Sequence, residues 1–428
     1  MSSAEPFGPA LRGMALSLLL RLAWRNLLRH RRRNGLLLAA VMVGMAATVL
    51  SNALVRGYQF DLRDDAVDNL NGHMKVLPPG WLDDPRAALQ IDLPAAFRGG
   101  APNPEMGLIA EGAIWTTRIR VPAVVLSERE TRGVELVGID PVAEQGLSFA
   151  GDLERSGEGL TDAGDARVLL GRALADALET DVGRRVVIVT QNAAGASVEM
   201  GFRVVGVFDE PGRARELAYA LTGRDRLAVQ LGMTGVSELS VRFTDPSADH
   251  LAHARAVLTA ALSGADIRDW RTLDPLASGM FDIIDAVLYV WLVIVLVALG
   301  FGLVNTLATA VIERMREFGL LRALGMRARY VLAQVVLESV LVTLLGVVFG
   351  IGGGIALVGL LHEGIDLSAW SSATALIGIG NLLVPRVLPA DILLVFVAAL
   401  IFALVGSIYP AWRAVTPAPL AALHGGRT

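Results

Sequence analysis

Four stretches of the chain are apolar for long enough to cross a bilayer core, which takes about 20 helical residues. They are Gly35–Leu54, Ile283–Val311, Tyr330–Leu361 and Ile392–Trp412, and each is predicted to be a membrane-spanning helix. The apolar piece Met14–Leu20 is too short to span. The run after Arg33 has the length of a span and no small-residue cleavage site follows it, so a retained first helix is expected, not a cleaved signal. Between the first two spans the pattern changes. Short runs rich in β-branched residues predict strands at Ala123–Leu126, Val134–Val137, Arg167–Leu170, Arg185–Thr190, Phe202–Val207 and Leu239–Phe243. Helical spacing intervenes at Arg172–Glu179 and His250–Leu262, and Gly183 and Gly206 stand where turns are expected. This predicts a membrane α-helical protein with four transmembrane helices and a large α+β domain inserted between spans 1 and 2.

Composition agrees with such a mixture. The chain is 53% hydrophobic yet 19% charged, too apolar for an average soluble enzyme and too charged for a protein made of spans alone. A net charge of −4 gives no reason to expect a nucleic-acid partner. With no cysteine, disulfides and thiolate metal sites are excluded. There is no HExxH, no GxSxG elbow and no GxxxxGK[ST] phosphate loop, so no catalytic residue and no metal ligand is nominated, and the chain is not expected to be an enzyme. Asp61, Asp64, Asp65 and Asp68 are read as a solvated helix face in preference to a metal cluster.

Basic residues near span ends set orientation. Arg21, Arg25, Arg29, Arg31, Arg32 and Arg33 precede span 1, and Arg314, Arg316, Arg322, Arg327 and Arg329 lie between spans 2 and 3. Only Arg386 lies between spans 3 and 4, while Arg413 and Arg427 follow span 4. The expected layout of an inner-membrane protein with both termini cytoplasmic follows. Residues 1–34 form a cytoplasmic segment, amphipathic over Leu16–Asn34; 35–55 form span 1 and 56–278 the extracytoplasmic domain. Span 2 takes 279–311, a cytoplasmic loop 312–329, span 3 330–361, an outer loop 362–390, span 4 391–412 and a cytoplasmic tail 413–428. Ala373–Pro385 in the outer loop is apolar enough to lie at the interface.

Inside the spans, Glu338 is a carboxylate about two turns into span 3, where an ionisable group is costly. It is expected to pair with a nearby arginine and to have a structural role. Asn305 and Thr306 are expected to hydrogen-bond between helices, and Gly346, Gly350 and Gly354 to pack span 3 closely on a neighbour. Asp282 and Asp285 mark the outer entry to span 2, where an acid suits a helix N-terminus. In the loop, Glu313–Leu324 predicts a short amphipathic helix with Met315, Phe318, Leu321 and Leu324 on one face, ended by Gly325. On these residues alone, a partner-gripping helix and a partnerless interfacial re-entry helix are both open.

The stretch ERMREFGLLRALG resembles the signature of the FtsX/MacB/LolC-type (type VII) ABC transporter permeases through Glu313, Arg314, Arg316, Glu317, Gly319, Leu320, Leu321, Arg322, Ala323, Leu324 and Gly325. Glu338, Gly346, Gly350 and Gly354 continue the likeness; Tyr409–Leu423 resembles the family's C-terminus, LAWRNLLRHRRRN its N-terminal segment and Val168–Val207 its outer domain. The layout is closest to LolC/LolE-like or unfused MacB-like permeases.

The resemblance implies that Ile312–Gly325 is a coupling helix through which Glu313, Arg314, Arg316, Glu317, Phe318, Gly319, Leu321, Arg322, Ala323 and Gly325 grip an ABC ATPase. It implies no cofactor in this chain, with ATP and Mg held by a separate ATPase subunit. It implies a second permease copy or homologue, a periplasmic carrier or adaptor, and conformational work on the outer side, called mechanotransmission, applied to a lipoprotein or other lipophilic cargo. The alternatives are an FtsX-like transducer that regulates a cell-wall hydrolase, and a drug or peptide exporter with a membrane-fusion partner.

Overall fold

A computed structural model describes residues 25, 31–94, 97, 113–210, 213–244, 246, 248–323, 326, 328–370 and 382–415. Gly325, most of Leu16–Asn34 and Ala373–Pro385, and nearly all of the tail lie outside the described residues. The chain divides into two compact units. One holds 1–59, 282–368 and 382–428, the other 60–281 and 369–381. The inserted domain therefore runs from Phe60 to Phe281, a few residues later at each end than the expected 56–278.

Helix α1 (Arg31–Asp68) is 38 residues long, about 57 Å, nearly twice the hydrocarbon thickness. Its apolar half belongs to the first unit and Phe60–Asp68 to the second. The second unit continues with β1 (Met74–Leu77), β2 (Ala113–Leu126), β3 (Thr131–Ile139), β4 (Glu154–Gly157), β5 (Val168–Gly171), α2 (Arg172–Ala177), β6 (Arg185–Gln191) and β7 (Ser197–Asp209). Then come α3 (Arg213–Ala218), β8 (Tyr219–Gly223), α4 (Arg224–Leu231), β9 (Glu238–Phe243), α5 (Ala248–Ala261), β10 (Asp266–Asp269) and α6 (Trp270–Leu273). The membrane helices resume with α7 (Pro275–Glu313), α8 (Met315–Ala323), α9 (Ala328–Leu360) and α10 (Pro389–Val415). Among the described residues, α1, α7, α9 and α10 are long and apolar enough to cross a membrane.

In the inserted domain, β2 belongs to two sheets. Its first half, Ala113–Arg118, pairs antiparallel with β9. That sheet continues through β1 to β10, and α5 covers it, packing Ala254 and Leu258 against Met74, Val76, Trp115, Leu239 and Val241. Its second half, from Ile119, pairs with β3 and, from Ala123, also with β6. The pairings β3–β8, β8–β5, β5–β7 and β7–β6 close the circuit into a six-stranded barrel. Closure removes the open edges a free sheet would present. Ile119, Val121, Val125, Leu136, Leu170, Ile188, Phe202 and Val204 fill it. Gly206 does not make a turn. It lies within β7, where a Cβ would stand 2.4 Å from the Glu158 carbonyl oxygen, so glycine is needed for the approach of that chain. Gly183, with φ +88°, does occupy a turn before β6.

In the membrane unit, α9 lies on α1 through its glycines. A Cβ on Gly346 would meet Val41 at 2.7 Å, one on Gly350 Met45 at 2.7 Å, and one on Gly354 Val49 at 2.7 Å. The two i, i+4 rows face each other over two turns, which dispersion alone makes favourable in lipid. Val41, Met45, Val49, Val342, Val347, Leu296, Val395 and Ala399 make the shared core.

Candidate coupling site

Helix α7 stops at Glu313 because the chain turns at Arg314, whose N–H donates to Val311 O at 3.2 Å. Helix α8 then begins at Met315, so Ile312 and Glu313, expected in the coupling helix, finish the preceding span instead. Helix α8 is docked by one aromatic side chain. Phe318, 3% exposed, is buried among Val311, Val331 and Val335, with Met315, Met326, Leu332 and Val336 around it.

Beside this contact lies an ion pair. Arg314 Nη1 donates to Glu338 Oε2 at 2.9 Å, and its Nε donates to Glu317 Oε2 at 3.3 Å. The Arg314 guanidinium also stands 5.5 Å from the Phe318 ring centre. The Arg314 and Glu338 side chains are 9% and 10% exposed. A buried charge is tolerated when paired and hydrogen-bonded, so each residue explains the other's presence. Arg314 and Phe318 were expected among the residues that grip a partner. Both are buried within this chain and fix α8 to α9. Gly319 is buried as well.

The outward face is a different set. Arg316 and Glu317 are exposed, Leu320 is 54% exposed, and Glu313 is exposed at the preceding helix end. Arg316, Glu317 and Leu320 are neighbours on one side of α8 by helical spacing. Leu321, Arg322 and Ala323 complete α8, with side chains outside the described set, as is Gly325. Asn305 is exposed on α7, so packing within this chain leaves it uncovered; the Thr306 side chain lies outside the description.

At the opposite ends of the spans, Arg56 of α1 joins two other helices. Its Nε and Nη2 donate to Asp391 of α10 at 2.7 and 3.0 Å, and its Nη1 donates to Asp285 of α7 at 2.6 Å. Gln59, 1% exposed, accepts from Arg56 at 2.5 Å and donates to Asp285 at 3.1 Å. Asp285 is about three turns past the start of α7, so a helix N-terminus does not account for it; the largely covered Arg56 does. Sequence reading missed Arg56, although a lone arginine late in an apolar helix was a visible signal. In the acidic group after span 1, read as a solvated helix face, Asp65 is indeed exposed and Asp64 partly so, and Asp64 pairs with Arg63, Asp65 with Arg215 and Asp68 with Arg242.

Two family models match. The MacB-like periplasmic core domain covers residues 35–258, and the FtsX-like permease C-terminal covers 289–419. The chain is 23% identical to the lipoprotein-releasing system transmembrane protein LolC of Xylella fastidiosa, over 93% of this chain and 96% of that protein. It is 25% identical to the macrolide export ATP-binding/permease protein MacB 2 of Aeromonas hydrophila, over 78% of this chain and 51% of that longer protein. Among solved structures, the periplasmic region of MacB from Actinobacillus actinomycetemcomitans matches with a TM-score of 0.33 and 14% identity, over 49% of this chain and 94% of that one. With the periplasmic core model covering more than half of its residues and the permease model most of the remainder, the chain belongs to the FtsX/MacB/LolC-type ABC transporter permeases, multi-pass proteins of the inner membrane.

Proposed function

We propose that this permease is driven by separate ABC ATPase subunits docked on α8 at the cytoplasmic face, and that it acts on lipophilic cargo, foremost lipoprotein, on the outer side. The observation that carries the reading is the division of labour along α8. Arg314 and Phe318 anchor it to α9, while Arg316 and Leu320, with the exposed Glu317 that also accepts from Arg314, present a charged and apolar face for a partner. Arginines flanking span 1 and lining the 312–329 loop support both termini and α8 being cytoplasmic. ATP and Mg would be held by the ATPase, and a second permease copy or homologue would complete the pore-side pair.

Lipoprotein release is supported by the alignment with LolC along nearly the full length of both chains. Export of a drug or peptide is the second reading, supported by the match to the macrolide-export relative. A periplasmic carrier belongs to the first reading and a membrane-fusion adaptor to the second. Affinity capture of the tagged chain from its native membranes tests both. Co-purification of an ABC ATPase is expected, with acylated protein in the same fraction. Capture of an ATPase with a membrane-fusion protein and no acylated protein would favour the second reading, and absence of any ATPase would overturn both.

A further inference from the structure

The end of α1 is tied to both parts of the inserted domain at the residue where β2 changes sheets. Arg118 is the last β2 residue paired with β9, and Ile119 is the first paired with β3. On the barrel side, Asp65 pairs with Arg215 of α3, and Tyr219 of β8 donates to Asn69 Oδ1 at 3.2 Å. On the side of the four-stranded sheet, Asp68 pairs with Arg242 of β9, and the His73 N–H donates to Val241 O at 2.8 Å.

Between these ties lies Leu70, a non-glycine residue with φ +61°. A leucine in the left-handed region is strained, so something must over-determine it. Its carbonyl accepts from Arg118 Nη1 at 2.6 Å and from Ser240 Oγ at 3.1 Å. Arg118 is fully buried, held by Glu144 at 2.6 and 2.9 Å and by Glu238 at 2.8 Å. Lys75 joins Glu238 at 3.1 Å, and Arg120 joins Glu135 at 2.6 Å. At Arg118 the junction between the two cores is thus ionic, while the Leu70 side chain packs with Val137, Ile139, Phe149 and Tyr219 on the barrel side. Coulombic ties fall off slowly with distance, whereas dispersion contacts lose about a quarter to a half of their depth over a gap of roughly 0.5–1 Å. A joint made this way keeps hold while its geometry changes.

We propose that the end of α1 is a two-sided clamp, so that displacement of α1 changes the angle between the barrel and the four-stranded sheet about Arg118 and does not carry the domain as one body. Asp65, Asp68 and Arg118 are its positioning residues. The proposal rests on the reading of this permease as a converter of ATPase movement. The chain has no cysteine, which leaves label sites clean. Nitroxides at Val187→Cys in the barrel and Ala252→Cys on α5, both exposed, report the interlobe distance in the full chain reconstituted with its ATPase in lipid nanodiscs.

The distance distribution is expected to shift between nucleotide-free and vanadate-trapped states. Asp65→Asn with Asp68→Asn is expected to abolish the shift while ATP hydrolysis continues, and Asp68→Arg with Arg242→Asp to restore part of it. A shift that survives Asp65→Asn/Asp68→Asn overturns the clamp. So does an unchanged distance in a parent complex that binds and hydrolyses ATP. If the chain captures no ATPase, the converter reading falls first and the clamp with it.

Discussion

Arg314 and Glu338, 24 positions apart, meet at 2.9 Å with both side chains about nine-tenths buried. Removing one partner of a buried pair leaves an uncompensated charge, at a cost of about 3–5 kcal/mol. Arg314→Met and Glu338→Gln should each lower the thermal midpoint of the purified chain and weaken ATPase co-purification. Arg314→Glu with Glu338→Arg should recover part of both. Equal stability of the single variants and the parent would mean that the pair does not hold α8.

The exposed side of α8 should respond oppositely. Arg316→Glu or Leu320→Asp leaves the Phe318 packing and the Arg314 contacts intact, so the thermal midpoint should stay within about a degree or two of the parent. ATPase affinity should drop about tenfold or more, because a reversed charge or a buried carboxylate at an interface centre is costly. Titration of the ATPase onto nanodisc-embedded variants would measure it, and undiminished affinity would remove α8 from the interface.

The glycine face of α9 offers an internal comparison. A Cβ at Gly350 would lie 2.7 Å from Met45 Cβ and 2.8 Å from Met42 O, whereas one at Gly352 meets nothing within 4 Å. Gly350→Ala should destabilise the bundle by about 1–3 kcal/mol, as overpacking does. Gly352→Ala should be neutral or slightly stabilising. Denaturation in mixed micelles compares the two, and equal effects would contradict the α1–α9 packing.

His73 ties stability to pH. It is 5% exposed, and its Nδ1 accepts from the Phe243 N–H at 3.0 Å, so the ring must be neutral. Burial, then Arg63 and Arg242, push its pKa down from 6.5 to about 4. Between those values the unfolded chain binds more protons than the folded one, so stability falls as pH drops through about 6.5 towards about 4. The loss is on the order of 3 kcal/mol. Exchange of the Phe243 amide should accelerate across that window, and His73→Asn, which keeps an acceptor without the titration, should flatten the curve.

The spans and the strands β2, β3, β5, β6, β7 and β9 were legible because apolar length and β-branched runs are local signals. Strands β1, β4, β8 and β10 were not. Glu154–Gly157 and Asp266–Asp269 carry almost no apolar residues, and Lys75 in β1 is buried only because Glu238 meets it from a distant strand. The glycine row of α9 was legible, but its partner row on α1 was not, since a long-range pairing leaves no local mark. The pairing of Glu338 with an arginine was legible, because a carboxylate within a span calls for a cation, and Arg314 meets it at 2.9 Å. Which arginine it would be was not, because nothing local to Arg314 marks a partner 24 positions away.

Arg56 carries the last prediction. It satisfies Asp285 and Asp391 from two other helices at once, so Arg56→Met would leave two carboxylates without their cation. That variant should lose more stability than either Asp285→Asn or Asp391→Asn, and Arg56→Met/Asp285→Asn/Asp391→Asn should recover most of the loss, because no unpaired charge remains. Thermal unfolding of the parent and the four variants in one detergent makes the comparison. The function of the junction is separable from its stability. Cysteines at positions 285 and 391 would allow α7 and α10 to be cross-linked near Arg56 in an otherwise cysteine-free chain. If the outer ends must part to admit cargo, cross-linking should stop cargo release while ATPase binding persists, and reduction should restore it. Full activity in the cross-linked state would make Arg56 a fixed brace.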